Sequence, residues 1–171
     1  MTDGGAFDDL ERVRWTADSL RAAGIAHPSP HLVRITVDAR SLSPLVPHLN
    51  NVQIVQLIDR AAEDHLDLHG WTRAALLASR RMWFVRRHEI DYLAESFAGD
   101  RLVVATSVRS FSRTTSLRAT RIIREHDRAV VVESLSRWVH VDLDTRRPVR
   151  IPAEVLAACP AEPASEPTST T

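Results

Sequence analysis

The chain has 171 residues, 44% of them hydrophobic, with 22 basic and 22 acidic side chains and a formal net charge of zero. That composition supplies enough apolar material for one globular core and excludes wholesale disorder, and the balanced charge removes any long-range pull toward nucleic acid or anionic lipid. No apolar run approaches a membrane span and residues 1–5 begin nothing like a signal peptide, so a cytoplasmic protein is expected.

Cys159 is the only cysteine, which excludes an intrachain disulfide. All 22 basic residues are Arg, a compositional bias that stops Arg abundance alone from signalling phosphate recognition.

In chain order, Phe7, Leu10, Val13, Ala17 and Leu20 recur at helical spacing, and Gly24 can cap them, so a helix is expected over 7–23. His27-Pro28-Ser29-Pro30 then interrupts the helical pattern as a linker. Residues 32–39 alternate as a first strand. Residues 51–68 read as a long helix, with Gln53, Gln56, Arg60, Glu63 and Asp67 on one side and Ile54, Val55, Ile58, Ala61 and Ala62 on a broad opposite arc. So wide an apolar arc needs a sheet around it. Segments 82–92, 101–110, 116–124 and 129–143 supply one, with turns at Gly99-Asp100, at 112–115 and at 126–128 that point to antiparallel hairpins after a looser connection near Ser79. A short helix starting at Pro152 follows. The Pro/Ser/Thr-rich end is too poor in large apolar groups to offset ordering entropy. The expected organisation is a helical extension and linker (1–30), a main α+β domain (31–158) and a disordered tail (159–171).

Three spaced blocks carry a family resemblance: Pro47-His48-Leu49-Asn50-Asn51-Val52 before the long helix, Ile90-Asp91-Tyr92-Leu93 before Gly99-Asp100, and a terminal strand leading to Ile151-Pro152. Together they resemble the hotdog-fold thioesterases, the hydroxybenzoyl-CoA and acyl-ACP thioesterase superfamily. The resemblance implies a curved antiparallel sheet wrapped around a central helix, here with an extra N-terminal helix. It also implies a homodimer or dimer of dimers with the active cleft between subunits, and hydrolysis of an acyl-CoA or acyl-ACP thioester to free acid and thiol.

That chemistry needs a carboxylate to attack or to activate water, and donors for the oxyanion. Asp59 lies at the border of the apolar arc and is the first candidate, since the family often carries its base or nucleophile at this distance beyond the His/Asn block. His48 can polarise a carbonyl or shape the loop. Asn50 and Asn51 suit helix capping, and the resemblance adds an Asn that binds substrate or water. The loop departs from the family where many members carry an Asp: Ser41-Leu42-Ser43-Pro44 holds no acid, leaving Asp38 as the competing carboxylate. Arg109, Arg113 and Arg118 flank a turn that in similar proteins approaches the CoA part of the substrate, and Arg109 and Arg113 are taken as substrate-binding candidates.

His65 and His69 share a helical face but lack a third ligand in the sequence, so no metal and no cofactor are expected. A hotdog dehydratase is disfavoured, because Pro47-His48 alone does not make its Phe-Pro-Gly-His loop. A noncatalytic acyl-thioester-binding or scaffold protein is the alternative function.

Overall fold

The computed structural model describes Phe7 and residues 10–162. Six strands form one antiparallel sheet: β1 (Glu11–Arg12), β2 (His31–Thr36), β3 (Arg81–Tyr92), β4 (Arg101–Phe111), β5 (Thr115–Arg124) and β6 (Val130–Asp142), in the order β1-β2-β4-β5-β6-β3. Among the described residues four α-helices accompany it: α1 (Ala17–Ala22), α2 (Asn51–Asp67), α3 (Arg73–Ala78) and α4 (Ala153–Ala158). No described helix is long and apolar enough to cross a membrane.

Helix α2 begins where Asn50 caps it, the side-chain Oδ1 accepting from Val52 N at 2.9 Å. Its Ile54, Leu57, Ile58 and Ala61 pack with Val33, Ile35, Leu102, Val104, Ile122 and Val132 from the sheet. This is the sheet-around-helix arrangement that the apolar arc required.

Strands β4, β5 and β6 form the expected meander, but the hairpin expected at Gly99-Asp100 does not form. After Tyr92 the chain leaves β3, which pairs with β6 from Arg81↔Asp142 to Tyr92↔Val132, and crosses to start β4 beside β2. The Gly99-Asp100 turn serves another end, with Gly99 at φ 88° and its amide donating to Val37 O. Gly99 fits because that left-handed conformation is costly for residues bearing a Cβ.

The expected helix over 7–23 is also corrected. Its first part instead forms β1, pairing Glu11 with Arg34 and Arg12 with Val33 and covering the exposed edge of β2. The helix starts only at Ala17, where the Thr16 hydroxyl accepts from Ser19 N. The arm thereby wraps the sheet edge: Phe7 and Leu10 join the α2 side, while Val13, Trp15 and Leu20 pack with Leu32, Val103 and Ala105 on the opposite face. This explains why both faces of β4 are buried. At the other end the chain stays on the sheet past the expected boundary at 158, since Cys159 is buried and Glu162 N donates to Val108 O at 2.9 Å. Residues 163–171, the rest of the expected tail, lie outside the described residues.

Leu20 is the main apolar contribution of α1 to the outer face. Leu20→Ala is expected to lower unfolding free energy by about 2–3 kcal/mol in a denaturant titration, the usual scale for a truncated buried leucine.

Candidate active site

The site begins with an irregularity in β3. Its register against β6 shifts between Val85 and Arg87, leaving Arg86 as the extra residue of a bulge. A strand alternates faces with period two, so Trp83 and His88 would otherwise point to opposite sides. The bulge puts them on one side, where Trp83 faces His140, Val85 faces Trp138 and His88 faces Ser136.

His88 then reaches α2. Its Nε2 stands 3.5 Å from Asp59 Oδ1, while its Nδ1 shares a 2.7 Å hydrogen bond with the Ser136 hydroxyl. Trp138 is edge-on to the His88 ring, with centroids 6.5 Å apart. At 3.5 Å the His88–Asp59 contact is too long for a good hydrogen bond, and Asp59 Oδ1 is buried with no hydrogen-bond partner among the described residues. Burial raises the Asp59 pKa above the ordinary aspartate value, and Glu63 raises it further against the opposing pull of His88. Sequence reading singled out Asp59 but missed His88 and Ser136, because a bulge leaves no mark in a hydrophobic pattern and the His–Ser pair joins residues 48 apart.

The other candidates are dispersed. Asn50 is the N-cap of α2 and Asn51 its first residue. Helical rise over nine residues separates Asn50 from Asp59 by about 13 Å along the axis. His48 lies in the loop with its buried Nδ1 3.9 Å from Glu95, beyond hydrogen-bond distance, and with no hydrogen-bond partner among the described residues. That loop is closed by the Leu42↔Leu49 bridge and by Leu49 N donating to Ser96 O at 2.7 Å. Arg109 pairs with Glu162 at 2.8 Å, and Arg113 is exposed in the β4–β5 turn. Asp38, the competing acid, caps the 3-10 turn at Ala39–Ser41, and its hydrogen bonds to the Arg40 side chain and backbone amide hold its pKa below the usual value. That makes it a weak base already committed to a local turn.

Beside Trp138 lies a cavity of about 90 Å³ between α2, α3, α4 and the sheet. Trp71, Leu76, Met82, Trp83 and Val108 supply much of its wall, and Arg118 and Cys159 also line it. Arg118 bonds to His65 Nδ1 at 3.1 Å, and His65 stacks on His31 with ring centroids 5.0 Å apart. The structure supplies the third group that sequence reading did not find for His65 and His69: Cys159 brings a ligand atom to within 4.8 Å of theirs. The arrangement opposes a cation nonetheless. Burial, helped by Arg118, drives the His65 pKa down to about 2, so the neutral ring accepts from a guanidinium that would repel a metal ion.

Residues 45–159 match the profile of the Thioesterase-like superfamily. The chain belongs to that family. Solved structures agree on the hotdog fold. A 1,4-dihydroxy-2-naphthoyl-CoA thioesterase from Synechocystis superposes with a TM-score of 0.71 at 16% identity, over 76% of this chain and 95% of that one. A Staphylococcus aureus protein solved in complex with CoA gives 0.71 at 13%, over 76% and 81%. A DHNA-CoA thioesterase from Staphylococcus aureus gives 0.64 at 17%, over 70% and 78%. No curated protein matches the chain in sequence.

The electrostatics of Asp59 can be read by carboxyl NMR titration. Asp59 is expected to titrate above the ordinary aspartate range, and His88→Gln, which removes the opposing influence, is expected to move it higher still. A midpoint at or below the model-peptide value would contradict the desolvated site.

Proposed function

We propose that the protein hydrolyses an acyl thioester of CoA or acyl carrier protein, with Asp59 as the catalytic carboxylate. The observation that carries this reading is the buried Oδ1 of the half-buried Asp59, which has no hydrogen-bond partner among the described residues and stands beside His88 in a member of a thioesterase family. A carboxylate neutralised by Arg would be a poor base, whereas desolvation strengthens this one. When the Ser136 hydroxyl donates to Nδ1, the His88 Nε2 proton faces the buried Asp59 Oδ1, and water reaches the carboxylate through the part of the side chain that stays exposed.

In the reaction, Asp59 takes a proton as the water oxygen attacks the thioester carbon. The C–S bond then breaks, and that proton passes to the departing thiolate, giving free acid and thiol. Oxyanion donors must come from elsewhere, because the amides at the N-terminus of α2 lie about 13 Å along the axis from Asp59 in the same chain.

A homodimer resolves that separation. β3 is the open edge of the sheet, 12 residues long, with Phe84 and Tyr92 exposed. Edges of this length are usually covered, and an isologous pairing lets residue i of one subunit meet residue j of the other in both directions. We infer that two copies pair along β3, setting His48, Asn50 and Asn51 of one against Asp59 of the other. Asn50 and the early amides of α2 then act as oxyanion donors, and His48 orients the carbonyl. Arg109 and Arg113, near the β4–β5 turn, are the proposed contacts for the carrier end of the thioester. The reaction requires no metal or cofactor in this reading, and a cytoplasmic setting, where acyl-CoA and acyl carrier protein would meet it, is the proposed location.

Purified protein is expected to release thiol from at least part of an acyl-CoA and acyl-ACP panel. Asp59→Asn should retain substrate affinity and lose roughly a hundredfold or more in turnover, while Asp38→Asn stays near the parent. Because the raised pKa means that the folded state binds its proton more tightly than the unfolded state, ionised Asp59 costs stability as pH rises through that range. Asp59→Asn should therefore melt no lower than the parent near neutral pH. Collapse of Asp38→Asn with a near-normal Asp59 variant would transfer the role. Saturable binding without hydrolysis would leave the noncatalytic alternative.

Light scattering is expected to give at least a dimer, dissociated by a charge placed on the β3 edge. A concentration-independent monomer retaining full activity would remove the shared-site arrangement.

A further inference from the structure

Arg118 is an anomaly for a structural residue. It projects from β5 on the α2 side of the sheet, sharing that face with Ser116, Thr120 and Ile122, all of them buried. Only 5% of it is exposed, and among the described residues no carboxylate pairs with it. Both of its hydrogen bonds use Nη1, to the neutral acceptors His65 Nδ1 at 3.1 Å and Thr106 Oγ1 at 3.2 Å. Among the described residues Nε and Nη2 have no hydrogen-bond acceptor. Cys159 does not serve as counter-charge, because burial raises its thiol pKa despite the nearby guanidinium. Isolated buried charges are costly and are normally paired, so one left unpaired on a cavity wall calls for an explanation.

The cavity repeats the bias. Arg60 also lines it, and Arg60 Nε is buried with no acceptor, although Nη1 pairs with Glu63 at 2.9 Å. Trp138 lines it too, and its indole Nε1 is a buried donor with no hydrogen-bond partner among the described residues. The carboxylates on the wall do not balance this: Glu63 is held by Arg60 and by Arg73 at 2.7 Å, and Asp67 is solvent-exposed. Unmatched donors thus converge on an apolar, aromatic space, and Trp138 joins that space to His88 and Asp59.

We infer that the cavity holds the acyl group of the thioester, and that this group is short and ends in an anionic oxygen, a carboxylate received by Arg118. The inference rests on the thioesterase reading and narrows its substrate to the monothioester of a short dicarboxylic acid. The volume of about 90 Å³ suits a short acyl chain rather than a long fatty chain. Desolvation lowers the Arg118 pKa to about 10, which still leaves it charged at neutral pH.

The test compares glutaryl-CoA with pentanoyl-CoA, which match in chain length and differ in the terminal carboxylate, and includes 4-hydroxybenzoyl-CoA for a neutral hydroxyl end. The native protein is expected to favour glutaryl-CoA over pentanoyl-CoA by roughly tenfold or more in kcat/KM, the scale of a charge-assisted hydrogen bond in a desolvated site. In Arg118→Met the ratio should fall toward one. Melting of that variant supplies a readout apart from activity: removing an uncompensated buried charge should leave the melting temperature equal or higher, whereas a purely structural Arg118 would be missed. Equal kcat/KM for the two substrates, or a preference for the hydroxybenzoyl ester that survives Arg118→Met, overturns the inference while leaving the thioesterase reading intact. If no thioester is cleaved, calorimetric affinities of the native protein for glutaryl-CoA and pentanoyl-CoA decide it, and equal or absent binding overturns it. If Arg118→Met does not fold, Arg118→Lys takes its place: it is expected to keep the sign of the preference with reduced size, and an undiminished preference in that variant overturns the inference.

Discussion

Burial of one face of α2 against a curved sheet is the constraint on which the rest depends. Leu57, Ile58 and Ala61 are fully buried, so the helix has little freedom to rotate without exposing them. With that face fixed, Asp59 is forced to the margin of the interface, close enough to the sheet to lose water and too far round to be enclosed. Its raised pKa is a consequence of core packing rather than of a dedicated partner. The same packing holds His65 over Arg118, so the two unusual charges of the molecule are set by one helix.

The bulge at Arg86 is the complementary device on the sheet. Without it the long edge strand could not present both Trp83 and His88 inward, and either the cavity wall or the partner of Asp59 would be lost. Pairing of His88 with Ser136 and of Trp83 with His140 shows that each half of β3 lies in register with the inward residues of β6 on its own side of the bulge. An edge strand can tolerate such an extra residue, because no strand of the same chain on its far side must match it.

Those two devices explain what the sequence made legible. The apolar arc of α2, the strands after it and the Asn50 cap are local patterns, and the structure reproduces them within a few residues. Asp59 was legible because its position on the helical wheel is local too. The crossover from β3 to β4 was not, since strand order depends on long-range pairing and a Gly-Asp turn looks alike in a hairpin and in a connection. The N-terminal arm misled for a related reason: Phe7, Leu10 and Val13 fit a helical period, but they pack on two faces of the sheet, and pairing of Glu11 and Arg12 with β2 outweighed the local pattern. Helix α3 went unseen because six residues after Thr72 make too short a period. The convergence of Arg118, His65 and Cys159 joins β5, α2 and the end of α4, so only the fold reveals it.

Asp59 and Arg118 pose one physical problem twice, with opposite signs. Arg118 is withdrawn from water and Asp59 partly so, and neither has an ion-pair partner that neutralises it among the described residues; His88 stands beyond good hydrogen-bond distance of Asp59. Two such groups within bonding reach would simply have formed a buried salt bridge. Carried by different elements, α2 and β5, they keep separate demands: the carboxylate for a proton, the guanidinium for an anion. Marginal stability leaves little room for uncompensated charge that serves no purpose, and strained or desolvated groups concentrate where binding or catalysis uses them. A ligand with an electrophilic carbon at one end and an anionic oxygen at the other satisfies both, and an unsubstituted alkyl thioester satisfies only the first.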